Sequence, residues 1–461
     1  MNLLRRKIGR IHFIGIGGIG MSGIAEILVR QGFKVTGSDL NDTDVTLNLE
    51  KYGVMIWKGH NPENVGEAKA VVYSSAVSMD NPEILEAKKR GIPTIRRAEM
   101  LGELMRLKRG IAIAGTHGKT TTTSIVGTVM TDAGLDPTVI VGGVARDLDT
   151  NARLGESELL IAEADEYDRS FLKLTPTMAV ITNLEAEHLD TYKTYDNLVE
   201  AFINFANSVP FYGTVFLCAD EPSLLSLIPQ IERPTKTYGL SPQADIRCVN
   251  TEITSSGKGT IIVDGEVLGE IEIPLAGEHN LKNAIAAVAV ALEFGVPFEK
   301  IKTALTKFKG VRRRFDLRGE VGDVSVYDDY AHHPTEVRAT LNSASTAFDK
   351  PVVAVFQPHL FTRTRTFKKE FAEELQASDM LFITDIYPAR EKPITGINGE
   401  LIAKLAIELG HKDVNYVPER KNLAKAIADK LEGNELVITL GAGDIYKTSE
   451  ELLTLLKAGK N

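Results

Sequence analysis

The sequence predicts an α/β protein of three sections: Rossmann-like at each end, with a P-loop ATPase-like parallel sheet and a small antiparallel insert between them. Three observations lead there. Short apolar runs alternate with helical segments along most of the 461 residues, the order that builds parallel sheets. Two glycine-rich turns, at 15–20 and 115–118, each stand between an apolar run and a helix. The length suits about three domains at roughly 150 residues each.

The first section, 1–107, carries strands at Ile11–Ile14, Phe33–Thr36 and Ala70–Tyr73. Its first helix runs from Met21 to Gln31 and stops at Gly32. A basic amphipathic helix from Arg96 to Arg109 leads into the next section. The second section, 108–311, has strands at Ile111–Ala114, Thr138–Val141, Leu159–Ala162 and Met178–Thr182. Alternating runs at Thr260–Val263 and Glu270–Ile273 mark the antiparallel insert, and an alanine-rich helix follows from Leu281 to Phe294. The third section, 312–461, has strands at Val324–Tyr327, Val352–Phe356, Leu381–Asp385 and Leu436–Leu440. Helices at Phe367–Gln376 and Leu423–Leu431 complete a second doubly wound unit.

Composition narrows the function classes. The chain holds 53 basic and 62 acidic residues, a net charge of −9, which argues against nucleic acid or an anionic membrane as the main partner. Two cysteines, Cys218 and Cys248, make no disulfide framework or zinc pattern and fit a reducing compartment. Arg5, Arg6, Lys7 and Arg10 before Ile11–Ile16 loosely resemble a signal peptide. His12 and the glycines break that apolar stretch, so export is not expected. No run of about 20 apolar residues suggests a membrane span.

The stretch Gly115-Thr116-His117-Gly118-Lys119-Thr120-Thr121 follows a buried strand and opens a helix. Amides of such a turn and helix start point at phosphates. Lys119 suits β/γ oxygens, and the Thr120 hydroxyl suits Mg²⁺. The usual pattern would place its first glycine at 113, where this chain has Ile113, so the loop is of a narrower kind. A threonine-capped helix after a plain glycine turn is the competing reading. Gly15-Ile16-Gly17-Gly18-Ile19-Gly20 matches the diphosphate-binding GxGxxG turn, with Asp39 ending the next strand as a ribose ligand. The pattern alone does not choose among NAD, FAD and a UDP-sugar.

Other motifs end strands, where α/β ligands bind. Glu163, Asp165, Glu166 and Asp168 offer oxygen ligands for Mg²⁺, Glu163 foremost, against a solvated acidic loop. His188 lies in a loop one strand along, with a metal or phosphate role or a structural one. Asn280 and Asn283 open the alanine-rich helix, by capping or by contact with adenine. Arg314, within Arg312-Arg313-Arg314, faces a phosphate at a hinge or belongs to a basic linker. Tyr330 and His333 fall in Asp328-Asp329-Tyr330-Ala331-His332-His333-Pro334. Pro334 suits a first helical turn. Arg363 and Arg365 suit carboxylate or phosphate recognition.

Taken in order, GIGGIGMSGIA, GTHGKTTTT, EADE, NLEAEHLDTY, GEHNLKNA, GVRRRFD, DDYAHHPTE, QPHLFTRTR, DIYPAREKPI and GAGDI resemble the Mur ligases along the whole chain. The resemblance implies a UDP-binding first domain, an ATP-binding second and a third that closes and helps hold an amino acid. It implies that Gly15, Gly17, Gly18, Asp39 and Ser74 meet the UDP substrate. Gly115, Thr116, His117, Gly118, Lys119, Thr120, Thr121, Asn280, Asn283 and Arg314 would meet ATP. Thr120 and Glu163 would hold one Mg²⁺ and His188 a second. Tyr330, His333, Arg363 and Arg365 would line the amino-acid and closure region. Lys119, Glu163, His188 and His333 would be the catalytic set, with His333 a candidate base.

The implied reaction joins L-alanine to the lactyl carboxylate of UDP-N-acetylmuramate through an acyl phosphate, releasing ADP and phosphate, in peptidoglycan precursor synthesis. A cytoplasmic monomer or weak homodimer, with neither nucleic acid nor membrane as partner, is implied as well. Tyr167 stands where many members have a small residue and resembles the tripeptide-adding relative, the alternative reading. Gln357–Arg365 resembles the alanine-adding branch, as does the lack of any lysine from 194 to 235. Two readings lie outside the family. A nicotinamide dehydrogenase rests on the first turn alone and leaves Lys119 without a task. A nucleotide-gated regulatory protein would keep the ATP site without ligation.

Overall fold

The computed structural model describes residues 9–74, 76–146, 150–389 and 391–459. Arg5, Arg6, Lys7 and Arg390 lie outside them. Among the described residues, no helix is long and apolar enough to cross a membrane, and both cysteines are buried free thiols. The strands form three sheets.

The first sheet holds β1 (Arg10–Ile14), β2 (Lys34–Asp39), β3 (Met55–Lys58), β4 (Ala68–Tyr73) and β5 (Thr94–Arg96). They pair in the order β3-β2-β1-β4-β5, all parallel. Helices α1 (Ile19–Arg30), α2 (Pro82–Lys89) and α3 (Arg97–Arg106) belong to this part. The chain leaves β1 toward β2 and later returns on its other side as β4. The glycine turn after β1 therefore sits at the switch point where such sheets bind ligands. The helix expected from Arg96 to Arg109 is shorter, because Arg96 ends β5 and Arg109 begins the next strand.

The second sheet holds β6 (Arg109–Ala114), β7 (Thr138–Ala145), β8 (Thr150–Arg153), β9 (Leu159–Glu163) and β10 (Met178–Ile181). It continues with β11 (Thr214–Cys218), β12 (Thr235–Gly239), β13 (Ile246–Ile253), β14 (Gly257–Val263) and β15 (Glu266–Ile273). Their order is β15-β14-β13-β12-β11-β10-β6-β9-β7-β8. Only Asp264 and Gly265 link β14 to β15, with φ of 50° and 84°. That is a two-residue turn of the primed kind, which joins antiparallel neighbours, so the expected insert is present. β6 carries the phosphate loop and leads into α4 (Lys119–Asp132). It lies between β9 and β10. The acid loop after β9 and the His188 loop after β10 thus flank the phosphate loop from opposite sides. The sequence puts them one strand apart, whereas in the sheet β6 inserts between them. The alanine-rich helix is α5 (Glu278–Glu293), starting three residues earlier than expected.

The third sheet holds β16 (Asp316–Val321), β17 (Val324–Asp329), β18 (Val352–Phe356), β19 (Met380–Ile383), β20 (Val414–Tyr416) and β21 (Leu436–Leu440). Its order is β16-β17-β21-β18-β19-β20, with β16 antiparallel and the rest parallel. Along β18, Val352, Ala354 and Phe356 enter one apolar cluster, and Val353 and Val355 the other. Both faces are covered, as a parallel sheet requires. Its helices include α6 (Pro334–Ala347), α7 (Phe361–Glu374) and α8 (Tyr446–Ala458). Pro334 opens α6 as expected. The helix expected at Phe367 begins instead at Phe361 and kinks at Phe367. The Thr364 and Thr366 hydroxyls bond back to the carbonyls of Leu360 (2.8 Å) and Thr362 (3.0 Å). The helix expected at Leu423–Leu431 ends at Ala428.

Contacts gather the chain into two compact units. One runs to Val249 and includes Thr260–Ile271 and Lys282–Lys309. The other holds Asn250–Gly259, Glu272–Leu281 and the chain from Gly310.

Candidate functional site

In the first unit, the phosphate loop leaves β6 through Gly115 and Gly118, whose φ values are 134° and 81°. A Cβ on Gly115 would lie 2.0 Å from the Thr182 hydroxyl, so glycine is required there. The strand next door braces the loop. Asn183 accepts from the His117 amide (2.7 Å) and donates to the His117 carbonyl (3.1 Å), where the Thr182 hydroxyl also donates (2.6 Å). The Thr116 hydroxyl accepts from the Glu185 amide (2.9 Å). In the sequence Thr182 only ends a strand and Asn183 only heads NLEAEHLDTY; their bracing role comes from β10 pairing beside β6.

Lys119 opens α4. Its ammonium donates to the Gly115 carbonyl (2.6 Å), the Thr116 carbonyl (3.1 Å) and both oxygens of Glu166 (3.0 and 2.8 Å). Burial opposes the charge on Lys119, but Glu166 and Asp165 outweigh it and raise its pKa. Burial also opposes the charge on Glu166, and there Lys119 and His188 prevail and hold the carboxyl below its ordinary range. The His188 ring stands 3.5 Å from Glu166 and 3.7 Å from Glu187. Burial works against its proton, yet those acids raise its pKa. Glu166, Glu187 and His188 bring one ligand atom each within 4.8 Å of one another. Glu166, second to Glu163 in the sequence reading, is the acid that ties the two flanking loops together.

Glu163 ends β9. Its carboxylate accepts from the Gly142 amide (2.8 Å) and from the Thr120 hydroxyl. Burial raises its pKa against those two bonds. A half-buried carboxylate touching a helix-start hydroxyl is an all-oxygen donor pair, the kind Mg²⁺ prefers. The acid loop is strained: Asp168 and Arg169 take φ of 55° and 57°, a conformation found at working sites. Arg96 holds Asp168 at 3.1 Å, and Arg97 stands 3.8 Å from Asp165. These two arginines join α3 to the acid loop, a link absent from the sequence reading. Tyr167 sets its ring edge-on to His188 at 5.3 Å. Asn283 lies beside the loop, where a Cβ on Gly118 would come 3.0 Å from its Oδ1. Thr121 is buried in the first turn of α4.

The glycine turn after β1 is held from β2. The Ser38 carbonyl accepts from the Gly15 and Ile16 amides (2.8 and 3.1 Å), and Asp39 Oδ2 accepts from the Gly17 amide (2.9 Å). The Gly18 amide donates to the Gly15 carbonyl (3.3 Å). These amides shape the turn itself. The start of α1 behind it, with no side-chain cap, is the part suited to receive a diphosphate. Ser74 follows β4 across the switch point, its Cβ 3.7 Å from a Cβ built on Gly15.

The second unit holds the remaining candidates. Asn280 is buried inside the first turn of α5, and its amide donates to the Ala276 carbonyl (2.7 Å); it does not cap the helix. Of the three arginines, Arg313 is committed to the fold. It donates to Asp328 (3.0 Å) and the Gly441 carbonyl (2.7 Å). Its guanidinium lies over the rings of Tyr330 and Tyr446, 4.9 Å from each. Arg314 also lies over the Tyr330 ring (5.3 Å) and 3.5 Å from Glu336. His333 precedes α6, buried, with its ring edge-on to Phe367 at 5.0 Å. Tyr330, His332, His359 and Tyr387 continue as a run of ring contacts. Burial drives the pKa of His332 down to about 3 and pushes Asp329 up to about 6. Arg363, half-buried, and Arg365, exposed, lie in the first turns of α7.

Comparison with known proteins agrees along the full length. Residues 10–109 match the Mur ligase family catalytic domain, 113–291 the Mur ligase middle domain and 313–443 the Mur ligase glutamate ligase domain. The UDP-N-acetylmuramate–L-alanine ligase of Geotalea uraniireducens (strain Rf4) is 50% identical over 98% of this chain and 99% of its own. That of Salinibacter ruber is 50% identical over 98% of this chain and 96% of its own. Among solved structures, the UDP-N-acetylmuramate-alanine ligase MurC of Thermotoga maritima superposes with a TM-score of 0.83 at 29% identity, covering 98% of this chain and 99% of that one. The murein peptide ligase of Psychrobacter arcticus shares the fold at 24% identity and a TM-score of 0.73, over 97% and 98%. With three family domains matched in order and half its residues shared with relatives matched over nearly their full length, the chain belongs to the Mur ligase family.

Proposed function

We propose that the chain is an ATP-dependent ligase that joins L-alanine to the lactyl carboxylate of UDP-N-acetylmuramate, giving ADP and phosphate. The observation that carries the reading is the meeting of Lys119, Glu163, Glu166 and His188 around one phosphate loop. The full-length identity to alanine-adding relatives chooses the amino acid. The tripeptide-adding alternative rests on Tyr167 and on a fold likeness of lower identity, and is less supported. The proposed domains are 1–107 for the UDP substrate, 108–311 for ATP and 312–461 for the amino acid and closure. The proposed setting is the cytoplasm, and the proposed assembly a monomer or weak homodimer.

Two anions must meet, the lactyl carboxylate and the γ-phosphate, so alignment and charge neutralisation dominate the task. The loop amides and Lys119 receive the phosphates. Thr120 with Glu163 would hold one Mg²⁺, and His188 with Glu166 and Glu187 a second; bound there, Mg²⁺ supplies positive charge at the phosphate oxygens. The carboxylate takes the γ-phosphoryl group, and the acyl phosphate so formed is attacked by the alanine amine with loss of phosphate. Asn283, near Gly118, and Asn280 are proposed near the adenine, and Arg314 near the phosphates. Tyr330, Arg363 and Arg365 are proposed to hold the amino acid, with His333 as base for its amine.

The test is phosphate release from ATP with UDP-N-acetylmuramate and, in turn, L-alanine, glycine, L-serine and the tripeptide. Release that needs both the sugar nucleotide and L-alanine is expected. Preference for the tripeptide, or release that ignores the sugar nucleotide, would overturn the reading.

A further inference from the structure

We propose that Glu83 is the positioning residue of the sugar-nucleotide site: its carboxylate sets the end of β2, and through it the glycine turn. The inference rests on reading the first sheet as the UDP-binding part. Glu83 is the second residue of α2, wholly buried, and its amide bonds to Asn81 Oδ1 (2.9 Å). Its Oε2 accepts from the Ser38 hydroxyl (2.6 Å) and lies 3.3 Å from His60 Nδ1 and 3.6 Å from His12 Nε2. Its Oε1 accepts from Asn64 Nδ2 (2.6 Å) and the Asn61 amide (3.3 Å). Burial opposes the charge, but His12, Ser38 and Asn64 keep the carboxyl below its ordinary range.

A carboxylate in such a place costs desolvation, and apolar packing of the same volume is often as stable. What the carboxylate does here is local and directional. Ser38, held by its hydroxyl, is the residue whose carbonyl accepts from Gly15 and Ile16. Asp39, the next residue, accepts from Gly17 with its carboxylate and from Gly59 with its carbonyl (2.7 Å). His60, following Gly59, returns to Ser38 Oγ (3.0 Å). One buried oxygen pair therefore ties the ends of β2 and β3 to α2, and the glycine turn hangs from the tied residues. A shift of Ser38 and the adjoining Asp39 carries three turn amides with it and moves the start of α1, where the diphosphate is received.

The variants are Glu83→Gln, Ser38→Ala and the pair together. Both Oε1 partners are N–H donors, so the glutamine nitrogen falls on the Oε2 side and reverses the Ser38 contact. UDP and ADP affinities are measured by calorimetry on the full chain, with folding checked by thermal unfolding. Each single variant should weaken UDP about tenfold, the scale of one charge-assisted hydrogen bond. ADP should stay within about twofold, and the double variant should be no weaker than the worse single one, since both changes cut one link. UDP affinity left unchanged, ADP affinity falling in step, or additive losses would each overturn the role. If Glu83→Gln does not fold, Ser38→Ala alone must show the selective UDP loss or the proposal fails. A wild-type chain that does not bind UDP would refute the substrate reading and this inference together.

Discussion

Lys119→Ala separates catalysis from stability, and the structure sizes both effects. The ammonium makes four contacts of 2.6 to 3.1 Å, two of them to Glu166. Removing a donor aimed at developing phosphate charge costs about 10²–10³ in rate, and a full positive charge falls at the upper end, roughly 4 kcal/mol. Stability suffers by a different route. Glu166, with its side chain 2% exposed, would lose its main neutralising partner. Breaking a buried pair this way costs about 3–5 kcal/mol, less whatever the acid recovers by taking up a proton. The assay is phosphate release with all three substrates, beside urea unfolding of the same protein. The double variant Lys119→Ala/Glu166→Gln should regain much of the stability and none of the turnover. Ligation by folded Lys119→Ala within about tenfold of wild type, well short of the loss expected from one donor, would refute the phosphate-loop assignment.

Acid should reveal two buried groups of opposite effect in the second unit. Native Asp329, at about 6, holds a proton that the unfolded chain lacks between pH 6 and the ordinary aspartate value of 3.8, which adds stability as pH falls. The unfolded chain protonates His332 below 6.5 while the native ring resists until about 3, which removes stability as pH falls. Each slope is about 1.4 kcal/mol per pH unit, so they cancel between about pH 4 and 6. Asp329→Asn should steepen acid destabilisation in that window, and His332→Asn should flatten or reverse it, read as urea midpoints against pH. Arg313→Ala should cost about 3–5 kcal/mol by removing the ion-pair partner of buried Asp328, again by urea unfolding. Arg313→Lys should recover only part, since the bond to the Gly441 carbonyl and the stacking over two rings need the guanidinium plane.

The elements most legible in the sequence were those whose cause is local. The strand before each glycine turn, the helix after it and Pro334 at the head of α6 depend on neighbours a few residues apart. The misreadings share a cause as well. Thr364 and Thr366 have low helical preference, yet the helix starts at Phe361 and their hydroxyls bond back to Leu360 and Thr362. Arg313 reads like its two neighbours, as linker charge or a phosphate-facing arginine; Tyr446, more than a hundred residues on, is one of the rings it packs against.

By itself the sequence determined three α/β sections, a glycine turn and helix led by Lys119, a second glycine turn after the first strand and a set of acids and histidines at strand ends. Contiguous motifs report their own geometry, because a turn and the helix it opens are set by adjacent φ and ψ angles. Only the tertiary structure decided which acid meets Lys119, that His188 reaches the same acid from the far side of β6, and that Glu83 stands beneath the glycine turn. Those meetings depend on the order in which strands pair, and strand order is settled by burial summed over whole sheets, which no short stretch of residues encodes.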